Sequence, residues 1–214
     1  FVNDRYYLPS LISGISAGLA FPPINFYYLM PFAFVLLLLD FRKRTTLAEI
    51  NRRMYVSAFA FTLITLYWVG SWSKQADTFL MISGAVLMFF NPCVFLIPSS
   101  LFYFSRKYLS EKSAYFLFPI FWIFFEYLYS VTDLRFPWLT LGNSQADNLI
   151  FIQMAELTGV YGISLILMFS NVLFALILIE KQYVFRRKII TLSAILLTLL
   201  VFPYIYGYFA LENI

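Results

Sequence analysis

The chain has 214 residues, of which 62% are hydrophobic and 12% carry a charge. Its mean hydropathy of +0.80 excludes an ordinary soluble domain, in which about 25% of residues are charged. One cysteine and no histidine exclude an internal disulfide, a Ser-His-Asp triad and a histidine-ligated metal. The net charge of +4 sits in short basic runs between apolar segments, which indicates membrane topology signals and argues against nucleic-acid binding. We therefore expect an integral membrane protein without a metal or cofactor.

The first two apolar runs are short. Residues 8–21 carry Gly14 and Gly18 at a spacing that lets a second helix approach closely. Residues 26–40 return as a second span after a tight turn. Both runs are shorter than the ~20 residues that a full crossing needs, so frayed boundaries or locally thinned lipid are expected.

Five further apolar runs complete the prediction. The fourth span contains Pro92 and Pro98, which remove helix hydrogen bonds and should kink it. A polar loop, residues 132–156, separates the fifth span from the sixth. The spans after the second are predicted at 54–72, 79–104, 114–131, 157–180 and 189–208. The sequence therefore predicts one all-α, polytopic membrane domain of about seven transmembrane helices over residues 1–214.

Basic residues orient this bundle. If the loops at 41–53, 105–113 and 181–188 share the side of the amino terminus, that side holds every Lys and Arg except Lys74 and Arg135. Because cytoplasmic loops are enriched in Lys and Arg, we expect a cytoplasmic amino terminus. The loop at 132–156 and the carboxyl end are then extracytoplasmic.

The loop at 132–156 is the only long segment too polar and too punctuated to be a span. Pro137 and Gly142 forbid one continuous helix here, so a loop with one short helix along the membrane surface is expected. Asp147 or Asn148 is predicted to cap the helix that begins near residue 149.

Several side chains around this loop are candidates for lining a lipid or substrate path. Arg135 can bind a phosphate through two hydrogen bonds, while Phe136 and Trp138 suit the membrane interface. Interfacial anchoring without substrate contact is the alternative. Gln145 is a neighbouring polar group. As a hypothesis, Trp138 and Tyr161 line a lateral opening for acyl chains.

Glu126 is the only clearly intramembrane charge, and an ionised carboxylate there costs several kcal/mol unless it is paired or near water. It either reaches towards the interface or pairs with Arg135, or else it shapes the lipid path or braces the loop. Cys93 lies within a span without a neighbouring cation to stabilise a thiolate. We expect Cys93 to be an inert core residue.

Three blocks carry a family resemblance: RFPWLTLGNSQADN from Arg135, IQMAELTGVYGIS from Ile152 followed by Asn171, and LPSLISGISAGLAFPP from Leu8. In sequence and order they resemble the membrane part of bacterial apolipoprotein N-acyltransferases, and the resemblance covers nearly the whole chain. The family's usual GYSQ is GNSQ here, with Asn143 where a tyrosine is common.

The resemblance implies an enzyme that moves an acyl chain from a phospholipid to the amino-terminal cysteine of a diacylglyceryl-modified lipoprotein. It implies a nitrilase-like domain outside the membrane after the seventh span, an eighth span behind it, and a thioester on a cysteine assisted by a glutamate and a lysine. No member of that triad can be placed on this sequence. We therefore expect a piece of a longer protein that lacks the catalytic domain.

The expected role is to anchor that nitrilase-like domain in the bacterial cytoplasmic (inner) membrane, as a monomer, and to admit phospholipid and lipoprotein. A non-catalytic lipid-binding scaffold and a small transporter-like bundle stay open as alternatives. Transporters usually show midplane charges and related halves. With Glu126 alone and no internal repeat, the sequence favours the acyltransferase membrane domain.

Overall fold

The computed structural model describes residues 7–71, 77–133, 135–181 and 186–212. Within those ranges the regular structure consists of α-helices and short 3-10 turns, with no strand. The helices are α1 (Leu8–Leu19), α2 (Val35–Arg42), α3 (Leu47–Leu66), α4 (Thr78–Val94), α5 (Leu96–Tyr108), α6 (Glu111–Val131), α7 (Ala155–Lys181) and α8 (Arg186–Glu212). The predicted all-α class is confirmed.

Among the described residues, four helical stretches are long and apolar enough to cross a membrane: Thr78–Tyr108, Glu111–Val131, Phe151–Lys181 and Arg186–Glu212. α1 is apolar but has only 12 residues. These helices confirm a polytopic membrane bundle, whereas the exact span boundaries stay predictions. Trp72, the predicted end of the third span, and Lys74 lie outside the described residues.

The second predicted span is not one helix. A 3-10 turn at Tyr27–Phe32 contains Pro31, and α2 begins only at Val35. Asn171, fully buried in α7, satisfies the backbone at this break. Its Oδ1 accepts the N–H of Phe34 at 2.7 Å, and its Nδ2 donates to the carbonyl of Met30 at 2.8 Å.

The fourth predicted span is interrupted between its two prolines, since α4 ends at Val94 and α5 begins at Leu96. Proline has no N–H and its ring crowds the preceding turn, so a break is the expected result. Cys93 is exposed on the surface of α4, and the expectation of a core residue was wrong. The neighbouring Pro92 is buried, and each helical residue turns about 100° from the last, which directs Cys93 outwards.

α1 packs directly on α3. A Cβ at Gly14 would fall against the backbone carbonyl of Ser57, and one at Gly18 would lie 2.7 Å from the Cβ of Ile64. The close approach that the glycine spacing predicts is therefore present, and any larger residue at position 14 would push the two helices apart.

A buried cluster of ion pairs links α2, α3 and the short segment between them. Asp40 Oδ1 lies 2.6 Å from Arg44 Nη2, and Asp40 Oδ2 lies 3.3 Å from Arg53 Nε. Arg106, at the end of α5, donates to the carbonyl of Phe41 at 2.8 Å and to that of Arg44. These contacts fix the 41–53 segment against the 105–113 segment.

The described residues of the third basic segment, among them Lys188, lie at the same end of the bundle. Arg42 Nε is 2.9 Å from Glu111 Oε1 at the start of α6, while Lys112 Nζ and Lys188 Nζ lie 4.0 and 3.8 Å from Glu180 Oε1. We call this the basic end. The opposite end, which holds residues 135–154, is the loop end.

Replacing Asn171 with leucine should lower the free energy of unfolding by about 2 kcal/mol, because two backbone groups at the break lose their partners. The measurement is thermal unfolding of the purified protein in detergent. Thr198→Val is the control, since Thr198 is exposed and bonds only its own helix at Ala194. Equal melting temperatures for both variants would contradict the assigned role of Asn171.

Candidate functional site

Three 3-10 turns, Pro137–Leu139, Leu141–Gln145 and Phe151–Met154, form the segment at the loop end. The described residues between α6 and α7 contain these three short 3-10 helices and no α-helix, where a loop with one short helix was expected. Gly142 lies against the carbonyl of Val160, and a Cβ there would have no room. The segment is therefore pressed directly onto α7.

Glu126 holds this segment from the side of α6. Its side chain is 5% exposed, and Oε1 accepts the indole N–H of Trp122 at 2.9 Å and the backbone N–H of Leu141 at 2.8 Å. No ion pair joins it to Arg135 within the described part of the chain. Both the pairing with Arg135 and the reach towards the interface were therefore wrong, and the contacts are those of a loop brace.

α7 holds the next residue of the same turn. The hydroxyl of Ser164, itself fully buried, accepts the N–H of Gly142 at 2.8 Å. Two adjacent backbone donors are thus satisfied by side chains of two different helices. The position of the 141–145 turn follows from the packing of α6 against α7.

Gln145 is 2% exposed and belongs to the interior of this end. Its Nε2 donates to the carbonyl of Tyr27 at 3.1 Å, and its Oε1 accepts from Asn148 Nδ2 at 3.1 Å. Asn148 also donates to the Tyr204 hydroxyl of α8 at 2.9 Å, and its Oδ1 accepts the N–H of Phe151 at 3.4 Å. Of Asp147 and Asn148, the two residues predicted as helix caps, Asn148 is the one whose side chain bonds the Phe151–Met154 turn.

α8 closes the segment on its other side. Gly207 lies against the carbonyl of Ile150, leaving no room for a Cβ. Glu156, at the start of α7, accepts the hydroxyl of Tyr206 at 2.9 Å. The end of α8 is thus bound to both the loop segment and the beginning of α7.

An open apolar groove of about 520 Å³ runs beside the braced segment. Trp138 is 57% exposed and meets Trp68 edge to face, with ring centroids 5.8 Å apart. We call this the Trp groove. Its lining consists of Phe21, Pro22, Pro23, Thr65, Leu66, Trp68, Trp138, Asn143 and Ala146.

The remaining predicted residues do not line the Trp groove. Phe136 is half-buried and lies 6.5 Å from the Trp138 ring. Arg135 is exposed, and its side chain makes no hydrogen bond or ion pair with the residues that the structure describes. Tyr161 packs edge-on against Tyr127 at 6.2 Å and does not line the Trp groove.

Asn143 lines the groove where the resembling family commonly has a tyrosine. Its Nδ2 donates to the carbonyl of Pro137 at 3.1 Å, so the side chain closes the turn behind Trp138. The other groove wall, around Phe21 and Thr65, comes from distant parts of the chain: Phe21, Pro22 and Pro23 end the LPSLISGISAGLAFPP block, and Thr65 lies in α3. Sequence reasoning missed this wall and also missed Ser164.

These features define the class of protein: a polytopic α-helical membrane protein with a braced loop segment and an apolar groove at one end. Residues 13–173 match the apolipoprotein N-acyltransferase N-terminal domain family. The chain belongs to this family.

Individual relatives agree. The chain is similar to the apolipoprotein N-acyltransferase of Chlorobaculum tepidum, with 31% identity over 209 residues, 96% of this chain and 37% of the relative. The enzyme of that name from Coxiella burnetii is 30% identical over 210 residues, 93% of this chain and 40% of the relative. For Geobacter metallireducens the identity is 30%, over 80% of this chain and 33% of the relative. The chain therefore spans 33–40% of the length of these relatives.

Replacing Glu126 with leucine should lower the free energy of unfolding by about 2 kcal/mol, because the N–H of Leu141 and the indole of Trp122 lose their acceptor. Glu126→Gln keeps one acceptor oxygen and should cost less. The measurements are thermal unfolding in detergent and limited proteolysis of the loop segment.

Glu156→Leu supplies the matched control for Glu126→Leu, since Glu156 is an exposed carboxylate at the same end. Its removal should leave the proteolysis of residues 135–150 unchanged. Equal protease resistance of the two leucine variants would show that Glu126 does not brace the loop.

Proposed function

We propose that this chain is the membrane domain of an apolipoprotein N-acyltransferase-like enzyme, and that its loop end supports a nitrilase-like catalytic domain. In this proposal the chain admits the phospholipid acyl donor and the diacylglyceryl-modified lipoprotein acceptor. Membership of the family supports the membrane-domain role. In this proposal the nucleophile of the transfer belongs to the nitrilase-like domain.

The Trp groove carries the proposal. It is apolar, and its volume of about 520 Å³ lies within the range of small-molecule sites, about 300–1,000 Å³. Tryptophan side chains favour the membrane interface, so Trp68 and Trp138 place the groove at the depth where acyl chains meet head groups. An acyl chain that enters there leaves the surrounding lipid without crossing water.

Arg135 complements the groove. It precedes Trp138 by three positions, and its exposed guanidinium can bond a phosphate through two N–H groups. A phospholipid with its chain on Trp138 and its phosphate on Arg135 would use both predicted residues. Glu126 and Gln145 contribute indirectly, because they hold the backbone on which these two side chains are mounted.

Charge supports the placement in the membrane. The 41–53 and 105–113 segments and the described residues of 181–188 lie at the basic end, and cytoplasmic loops are the basic ones in membrane proteins. The proposed orientation therefore has the basic end in the cytoplasm and the loop end outside, in a bacterial inner membrane. A catalytic domain on the outside would rest over the Trp groove.

The buried charges of the described residues do not favour the transporter-like alternative. They are Asp40, Arg44 and Arg53 at the basic end, and Glu126 in the loop brace. Transporters instead place ionisable groups around a midplane site.

Filling the groove tests the proposal. In the full-length parent protein, Ala146→Trp should reduce labelling of groove peptides by a diazirine-bearing phospholipid at least fivefold, because the added indole occupies the acyl-chain volume. It should also slow acyl transfer to a diacylglyceryl-modified peptide. Ala194→Trp is the control, since Ala194 is exposed and lines a different hollow on α8.

A second pair decides between the two predicted aromatic residues. Trp138→Ala should reduce both labelling and transfer, while Tyr161→Ala should affect the labelling of groove peptides less because Tyr161 does not line the groove. Unchanged labelling in both Ala146→Trp and Trp138→Ala would overturn the groove as the lipid site. Labelling without any transfer by the unaltered parent protein would favour the non-catalytic scaffold.

A further inference from the structure

A second cleft lies at the basic end, which is the end of the bundle opposite the Trp groove. Two adjoining hollows of about 220 and 310 Å³ lie between the start of α6, the end of α7 and the start of α8. They share Lys112, Leu176, Glu180 and Lys188 in their linings. We call the two together the basic cleft.

The rim of the basic cleft is positively charged. It carries four cations and two carboxylates: Arg42, Lys112, Arg187 and Lys188 against Glu111 and Glu180. Arg42 and Glu111 form a close pair at 2.9 Å. Lys112 and Lys188 instead converge on a single oxygen of Glu180, at 4.0 and 3.8 Å.

This convergence leaves the local charge unbalanced. One carboxylate faces two ammonium groups, and the exposed Arg187 adds a third cation to the same rim. Lys112 and Lys188 keep 69% and 51% of their side chains exposed. The rim can therefore accept a further anion without removing a buried ion pair.

The walls of the cleft are apolar. Phe116 of α6 is 44% exposed and lies opposite Leu192 of α8. The adjacent surface of α8 is also apolar, with Ile190 and Ile195 exposed. A ligand of this cleft thus needs an anionic group at the rim and a hydrocarbon portion along the helices.

We propose that the basic cleft binds an anionic phospholipid of the leaflet that meets the basic end. Its phosphate would lie on Lys112, Arg187 and Lys188, and an acyl chain would pack between Phe116 and Leu192. Basic pockets between transmembrane helices are known to bind anionic head groups. Free phosphate would leave the apolar walls unused, which is why a lipid is the occupant that fits.

The bound lipid would join α6 to the α7–α8 pair at the basic end. This site is separate from the Trp groove, and it does not depend on the proposed acyl transfer. It is a binding site for a lipid that stays in place and not for a substrate.

Native mass spectrometry of the purified full-length protein, titrated with phosphatidylglycerol or phosphatidylcholine, tests the proposal. The double variant Lys112→Gln, Lys188→Gln should bind phosphatidylglycerol about 25-fold more weakly, because each cation near the surface contributes about fivefold to the binding constant. Binding of phosphatidylcholine should change much less. The control is Lys43→Gln, Lys107→Gln, which removes two exposed cations of the basic end that do not line the cleft.

Glu180→Gln provides a test of opposite sign. Removing the carboxylate that competes for both lysines should tighten phosphatidylglycerol binding severalfold, and this result decides the matter if the lysine double variant does not fold. Wild-type phosphatidylglycerol affinity in a folded lysine variant would overturn the proposal. An equal loss of phosphatidylglycerol affinity in the Lys43→Gln, Lys107→Gln control would also overturn the proposal. Weaker phosphatidylglycerol binding in Glu180→Gln would overturn it too.

Discussion

A hydrocarbon environment offers no water to a backbone N–H or carbonyl that a helix leaves unpaired. This bundle interrupts its helices at several points, and side chains from other helices satisfy backbone groups at two of them. Asn171 satisfies the break before α2, Glu126 and Ser164 satisfy the 141–145 turn, and Ser13 accepts the N–H of Leu37 at 3.1 Å. α7 supplies two of these groups, so both the break before α2 and the 141–145 turn are fixed against α7.

The same constraint separates the polar residues at the loop end into two kinds. The side chains of Glu126 and Gln145 bond backbone groups and nearby side chains, so they are buried and fixed. Arg135 and Trp138 lie on the segment that Glu126 and Gln145 hold in place, and their side chains remain accessible. A rigid support with accessible groups on its surface is the arrangement that binding sites generally require.

Composition and apolar runs were sufficient to predict the fold class, the polar loop and the close packing at Gly14. They did not predict the break before α2, because Asn171, which makes that break tolerable, lies 137 positions from Phe34. The partner of Glu126 was missed for a related reason. Sequence reasoning looked for the nearest opposite charge, whereas the structure uses the backbone N–H of Leu141. The Trp groove likewise joins segments near residues 21, 65 and 138 that only folding brings together.

The contact between Gly207 and Ile150 means that a movement of α8 displaces the loop segment. α8 has 27 residues and is therefore about 40 Å long, and most of its surface faces outwards. Tilting such a helix by ~10° about its centre moves each end by roughly 3.5 Å. Because Gly207 leaves no gap against the loop segment, such a displacement has to move the segment as well. Tilt is how a long helix adjusts to bilayer thickness, so the thickness of the surrounding membrane is mechanically coupled to the loop beside the Trp groove.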